Sequence, residues 1–273
     1  MSPEAWALAV AASLLATASV VGVLALAAGP VGARRWWWPG LGLVAAAATS
    51  LIVALALAVA ARQEWSPFDL KQMTIALAAA TLVIYLVLAV GLRAGGGLLV
   101  SLVGLAVLAL TLFGWLAIRP GGSTSAVVQR GLAVQIQWGC FILGSGGAVV
   151  AGCTGLALAA RAGLIGRGRE LAWPRRAELH QLLSRAVGFA AVVVGAGLAV
   201  GAWWAWQATG LLGTGDPRTA WLAATWLVML MAVWTYRLGE RSGRWAASLS
   251  IVAAALVVTG LLAASDLRLI LGL

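Results

Sequence analysis

Ionisable side chains are scarce in this sequence of 273 residues. Only 10% of the residues are charged, whereas a soluble domain carries about 25% because its surface faces water. The chain has one histidine, and its eight acidic residues are scattered over different loops. No Ser-His-Asp set, metal-ligand cluster or carboxylate pair can be assembled from them. We therefore expect neither a sizeable soluble domain nor an enzyme active site.

Cysteine is almost absent as well. Cys140 and Cys153 fall in one predicted helix, where their spacing separates them by about 20 Å at 1.5 Å per residue. That distance excludes a disulfide within the helix. No C-x-x-C motif is present, which excludes a thiol reductant and a covalent c-type heme attachment. We interpret both cysteines as small buried residues.

What the sequence has in abundance is apolar residues, at 63% with a mean hydropathy of +1.01. They form runs of about 20 residues without polar alternation, which suits helices that cross about 30 Å of hydrocarbon. Lipid offers the backbone no hydrogen-bond partners, so these runs must satisfy their own peptide groups as helices. The sequence predicts an all-α polytopic transmembrane helix bundle of about eight helices, with spans at 6–28, 41–61, 73–92, 97–118, 131–158, 186–208, 220–236 and 245–265.

Four spans fall in residues 1–120 and four in residues 121–273. None of the eight contains Asp, Glu, Lys, Arg or His. Ion-coupled transporters and proton pumps usually keep a charged side chain at membrane depth. Membrane transport is therefore less well supported than the two functions discussed below.

The basic residues predict the orientation. Of 18 lysines and arginines, 12 lie in the loops that follow spans 1, 3, 5 and 7. By the positive-inside rule these loops face the cytoplasm, while both termini and the other loops face outward, in a bacterial plasma (inner) membrane. Contact with anionic lipid explains the net charge of +10 better than nucleic acid does. Most of the prediction rests on six arginines around the loop between spans 5 and 6: Arg161, Arg167, Arg169, Arg175, Arg176 and Arg185.

Tryptophans cluster at the ends of the predicted spans, and small residues recur at four-residue spacing within two of them. Many of the 15 tryptophans fall at span ends, which is typical of an interfacial aromatic belt. Span 5 carries Gly144, Ala148 and Gly152 at four-residue spacing, and span 6 carries Gly197 and Gly201. Small residues at this spacing let helices approach closely in lipid, so we predict packing seams there.

One segment is more specific. It reads Gly197-x3-Gly201-Ala202-x-Trp204-Ala205, then Asp216-Pro217-Arg218-Thr219-Ala220-Trp221, then Thr225-Trp226-Leu227. This order resembles the heme-handling membrane proteins of cytochrome c assembly, the CcsA type and its smaller HemX-like relatives. The resemblance covers about residues 188–265 and holds without a gap from Gly197 to Trp234.

The resemblance implies a role in heme handling or cytochrome c biogenesis, with heme as the cofactor and other membrane subunits as partners. It also implies that heme is presented at the outward turn between spans 6 and 7. The residues of the corresponding platform are then Trp204, Asp216, Trp221 and Trp226.

The chain departs from the family at the iron ligands. The histidine expected at the outer end of span 5 falls on Trp138, and the histidine expected after Thr-Trp-Leu falls on Trp234. Thr209, Gly213 and Gly215 stand where the family has platform tryptophans. These departures support an alternative, in which the chain is a non-catalytic structural subunit of a larger membrane complex, such as a respiratory or photosynthetic one, that kept the fold and lost the heme site.

The one histidine, His180, lies beside Arg176 and Glu178 at the start of span 6. Without clustered partners in the sequence, it is interpreted as a solvated side chain at the membrane interface. Met229 and Met231 are the remaining candidates for axial ligands, although methionine in an apolar helix is usually packing material.

Overall fold

The structure is a computed structural model that describes residues 3–27, 29–62, 70–92, 97–116, 132–165, 175–210, 217–237 and 243–270. Apart from Arg175 and Gly210, which flank one helix, these residues are all helical, which confirms the predicted all-α bundle of about eight helices. The helices are α1 (Pro3–Ala27), α2 (Gly29–Arg62), α3 (Leu70–Leu92), α4 (Gly97–Leu116), α5 (Leu132–Ile165), α6 (Arg176–Thr209), α7 (Pro217–Arg237) and α8 (Gly243–Ile270).

The helices are apolar enough to make the chain a multi-pass membrane protein. Six of those described are long and hydrophobic enough to cross a bilayer. The other two, α4 and α8, carry shorter apolar stretches at Gly97–Leu112 and Arg244–Gly260. This confirms the prediction of a polytopic membrane protein.

Several helices extend beyond the apolar spans. α6 begins at Arg176 and not near 186, and its 34 residues make it about 51 Å long, more than the roughly 30 Å of hydrocarbon. α2 likewise begins at Gly29, well before the span predicted at 41–61. The predicted spans cover the apolar part of these helices, whereas the helical backbone continues beyond it. Arg176 and Arg185 therefore lie on a helix and not in a loop.

The helices contact one another in two rings of four. α1 packs against α2 and α4, and α3 closes the first ring by packing against the same two helices. α5 packs against α6 and α8, and α7 closes the second ring in the same way. The rings join mainly where α3 meets α5. There Gly146 lies so close to α3 that an added Cβ would be 3.0 Å from the backbone nitrogen of Thr81.

Small residues allow the closest approaches between helices. In the first ring, the Ser101 hydroxyl on α4 donates to the Ser19 carbonyl on α1 at 2.9 Å. In the second ring, Gly144 faces Val194 on α6, whereas Gly152 faces Ala254 on α8. The predicted seam on α5 is therefore used for packing, but it divides between two neighbours. The reason is that eight residues turn a helix by about 80° beyond two full turns.

Candidate functional site

Trp226 joins α7 to α6. Its indole Nε1–H donates to the carbonyl of Ala191 at 2.8 Å. The ring lies over Gly195, where an added Cβ would be 2.9 Å from Nε1. A glycine at this position leaves room for the ring, and the hydrogen bond satisfies the indole N–H away from water. Trp226 is therefore held in an interhelical contact.

Trp221 makes the equivalent contact on the other side of α7. Its Nε1–H donates to the carbonyl of Leu256 on α8 at 2.6 Å, and its ring lies over Gly260. Trp221 and Trp226 are five residues apart, which places them about 140° apart around the helix axis. The two rings thus contact different helices and do not form one continuous aromatic surface.

Trp204 lies near the end of α6, half-buried and packed against the hydrophobic core. Its neighbours Trp203 and Trp206 are exposed. Asp216, the remaining predicted platform residue, lies outside the described residues. We call the end of α5–α8 that carries Trp138, Trp204 and Trp221 the tryptophan end.

The positions that hold iron ligands in the resembled family carry other contacts here. Trp138 is buried and meets Phe141 edge to face, with ring centroids 5.7 Å apart. Phe141 in turn fills the space beside Gly197, where an added Cβ would be 2.9 Å from its ring. Trp234 is 67% exposed on the outer face of α7. An aromatic hydrocarbon edge offers iron no lone pair, so neither position supplies a ligand.

The other candidate ligands are equally dispersed. Met229 is buried in the helix packing, whereas Met231 is exposed on the other side of α7. Among the described residues, no three His, Cys, Asp or Glu side chains come together as a metal site would require. Cys140 and Cys153 are both free thiols; Cys153 is buried as interpreted from the sequence, whereas Cys140 is only half-buried.

A second feature, which was not predicted from the sequence, lies at the opposite end of the same four helices. Arg161 on α5, Arg176 and His180 on α6, and Arg244 on α8 border one cavity of about 640 Å³. We call this the arginine end. The arginines were recognised only as orientation signals, because their convergence depends on how three helices pack. The signal present in the sequence was the placement of a basic residue within the first turn of two helices and near the end of a third.

Comparisons with protein families, with curated proteins and with solved structures found no match for this chain. The resemblance to the cytochrome c assembly proteins rests on the residues between Gly197 and Trp234 and stays a prediction.

Proposed function

We propose that this chain is a non-catalytic structural subunit of a larger membrane assembly, with the helix arrangement of the cytochrome c assembly family and without its heme site. The observation that carries the proposal is the pair of indole hydrogen bonds from Trp221 and Trp226. Trp226 is half-buried over Gly195, and Trp221, although 39% exposed, lies over Gly260. Tryptophans that the resemblance assigns to a heme platform would then serve helix packing.

The exposed outer face of α7 supports the proposal that the chain contacts a partner subunit. Of the six helices long enough to span a bilayer, α7 is the least hydrophobic, and 17% of its apolar window is buried, against 83% for α5. Its exposed side chains include Leu227, Leu230, Met231 and Trp234. Because so little of α7 is buried against the rest of the chain, most of its surface is available for packing against another membrane helix.

The test compares two variants in native membranes. The double variant Leu230→Ala with Met231→Ala alters the outer face of α7, and Val192→Ala alters a more exposed apolar position on α6. After mild detergent extraction, the unaltered chain and the α6 variant are expected to migrate in a complex larger than the monomer. The α7 variant is expected to migrate as a monomer. A monomer for the unaltered chain, with lipid around every helix, contradicts the proposal.

Heme handling is the second candidate, and one observation favours it. Trp203 and Trp206 are exposed at the tryptophan end, three residues apart on one side of α6, where a porphyrin has access to both rings. Heme titration of the purified chain tests this candidate by its Soret absorbance. Loss of binding in Trp203→Ala with Trp206→Ala, but not in the exposed control Trp245→Ala at the other end, would support it. A flat titration of the unaltered chain removes it.

A further inference from the structure

The cavity at the arginine end lies where three helix ends meet. α5 ends there, and α6 and α8 begin there. Its volume of about 640 Å³ falls within the roughly 300–1,000 Å³ typical of small-molecule sites. Three arginines border it, and no carboxylate does so among the described residues. The described lining of the cavity is therefore net positive, and a narrow low-dielectric cleft strengthens the field of such charges.

Two of these arginines stand at positions that oppose the helix dipole. Arg176 is the first residue of α6, and Arg244 is the second residue of α8. The N-terminus of a helix carries partial positive charge, so a basic side chain there is unfavourable unless an anion accompanies it. Glu178 supplies a carboxylate in the first turn of α6, whereas the first turn of α8 has none. The positive-inside rule accounts for arginines at this end of the protein. It does not require them to converge on one cavity.

Backbone donors are present at the same place. The residue before α6 is Arg175, and it makes no side-chain hydrogen bond to the first turn. The first N–H groups of a helix have no intrahelical acceptor and are suited to an anion. Arg176 Nε donates to His180 Nε2 at 3.3 Å, and His180 also packs against Tyr236 with ring centroids 6.2 Å apart. These contacts fix the direction of both side chains at the edge of the cavity.

Apart from Ser248, the remaining described residues of the cavity wall are apolar. Leu158 on α5 and Ile251 on α8 line it on the membrane side of the arginines. A ligand that fits such a wall has an anionic group at one end and a hydrocarbon part at the other. Basic pockets between membrane helices on the cytoplasmic side recognise lipid headgroups in this way.

We infer that this cavity is a binding site for the phosphate headgroup of an anionic phospholipid, with Arg161, Arg176 and Arg244 contacting the phosphate and the acyl chain running past Leu158 and Ile251. The inference depends on the membrane fold and not on the proposed function. A free phosphate shares the headgroup chemistry, but the apolar wall favours the lipid.

The experiment measures binding of phosphatidylglycerol to the purified full chain in neutral detergent by native mass spectrometry, with phosphatidylcholine as the uncharged reference lipid. The test variant is Arg161→Gln with Arg244→Gln. The matched control is Arg185→Gln, which removes an exposed arginine on the same part of α6 outside the cavity. We expect the dissociation constant to rise at least tenfold in the test variant, since each basic contact contributes roughly fivefold. We expect it to change less than twofold in the control.

Each other outcome has a meaning. Equal weakening in Arg185→Gln overturns the inference, because it shows attraction to surface charge and no defined site. Inorganic phosphate that displaces the lipid at equal concentration assigns the site to free phosphate and overturns the lipid assignment. Arg161→Lys with Arg244→Lys keeps the charge and should retain most of the binding. Unchanged far-UV circular dichroism and elution volume establish that each variant is folded. These results are independent of whether α7 contacts a partner.

Discussion

The indole Nε1 of Trp226 lies above Gly195, and the same N–H donates to the carbonyl of Ala191 one helical turn earlier. Any side chain at position 195 would therefore displace the Trp226 ring and, at the same time, weaken its hydrogen bond to Ala191. The contact ties α7, the least buried of the six long apolar helices, to α6.

This contact predicts the effect of adding one methyl group. Gly195→Ala should lower the free energy of unfolding by about 1–3 kcal/mol, as overpacking in tight interfaces does. Gly188→Ala is the matched control on α6, because an added Cβ there meets nothing within 4 Å. Denaturant titration in mixed micelles measures both. A Gly195→Ala protein as stable as the control would show that the ring does not occupy this position.

A second prediction separates tryptophans used for packing from those facing lipid. Trp221→Phe removes the N–H that donates to Leu256, and interhelical hydrogen bonds in membranes contribute about 0.6–1.7 kcal/mol. Trp234→Phe alters an exposed ring on the same helix and should change stability by less than about 0.5 kcal/mol. Thermal unfolding in detergent distinguishes them. Equal effects at the two positions would mean that Trp221 is not held against α8.

A third prediction concerns the contact between α1 and α4. Ser101 donates to the carbonyl of Ser19 on the other helix and also lies 2.9 Å from the carbonyl of Gly97 on its own. Ser101→Ala should lower stability by about 0.6–1.7 kcal/mol, because the interhelical bond is lost. Ser13→Ala, an exposed serine that bonds only within α1 at Ala9, provides the comparison and should be near neutral. The prediction fails if both serines behave alike in chemical unfolding.

A fourth prediction uses the hydroxyl of Tyr85. The side chain is fully buried in α3, and its Oη has no hydrogen-bond partner among the described residues. An unsatisfied buried hydroxyl costs about 1–3 kcal/mol, so Tyr85→Phe should leave stability unchanged or raise it. Tyr85→Ala should instead cost about 3–5 kcal/mol by opening a cavity. Destabilisation by the phenylalanine variant would reveal a partner for the hydroxyl.

The orientation is a fifth prediction. In a background with Cys140→Ser and Cys153→Ser, single cysteines at Gln207 and at Arg175 report the two ends of α6, and both positions are exposed. A membrane-impermeant maleimide added to intact cells should label Gln207→Cys, and should label Arg175→Cys only after permeabilisation. The reverse pattern would invert the topology. It would also remove the resemblance to the cytochrome c assembly proteins, which requires the turn after α6 to face outward.

Much of the fold could be predicted because run length and hydropathy determine how many helices cross a bilayer. The number and class of helices came from this, and the glycines on α5 were recognised as packing positions. The sequence did not predict that Gly144 contacts α6 while Gly152 contacts α8, because this depends on the positions of the neighbouring helices around α5.

The roles of individual tryptophans were equally inaccessible. Trp221 and Trp226 each bond a backbone carbonyl 35 residues away, and a carbonyl is the same group at every position of the chain. No residue type marks such an acceptor. The cavity at the arginine end could not be predicted for a related reason. Arg161 and Arg244 line the same cavity only because α5 and α8 pack side by side.

The two rings of helices bear on how the chain is made. α1 already has both of its main neighbours once α4 has left the ribosome, and α3 lacks only its contacts with the second half. Synthesis runs from the N-terminus, so all four helices of the first ring are made before α5. The first ring can therefore pack without waiting for the second half, and Gly146 leaves room for α5 to join it against the backbone of α3.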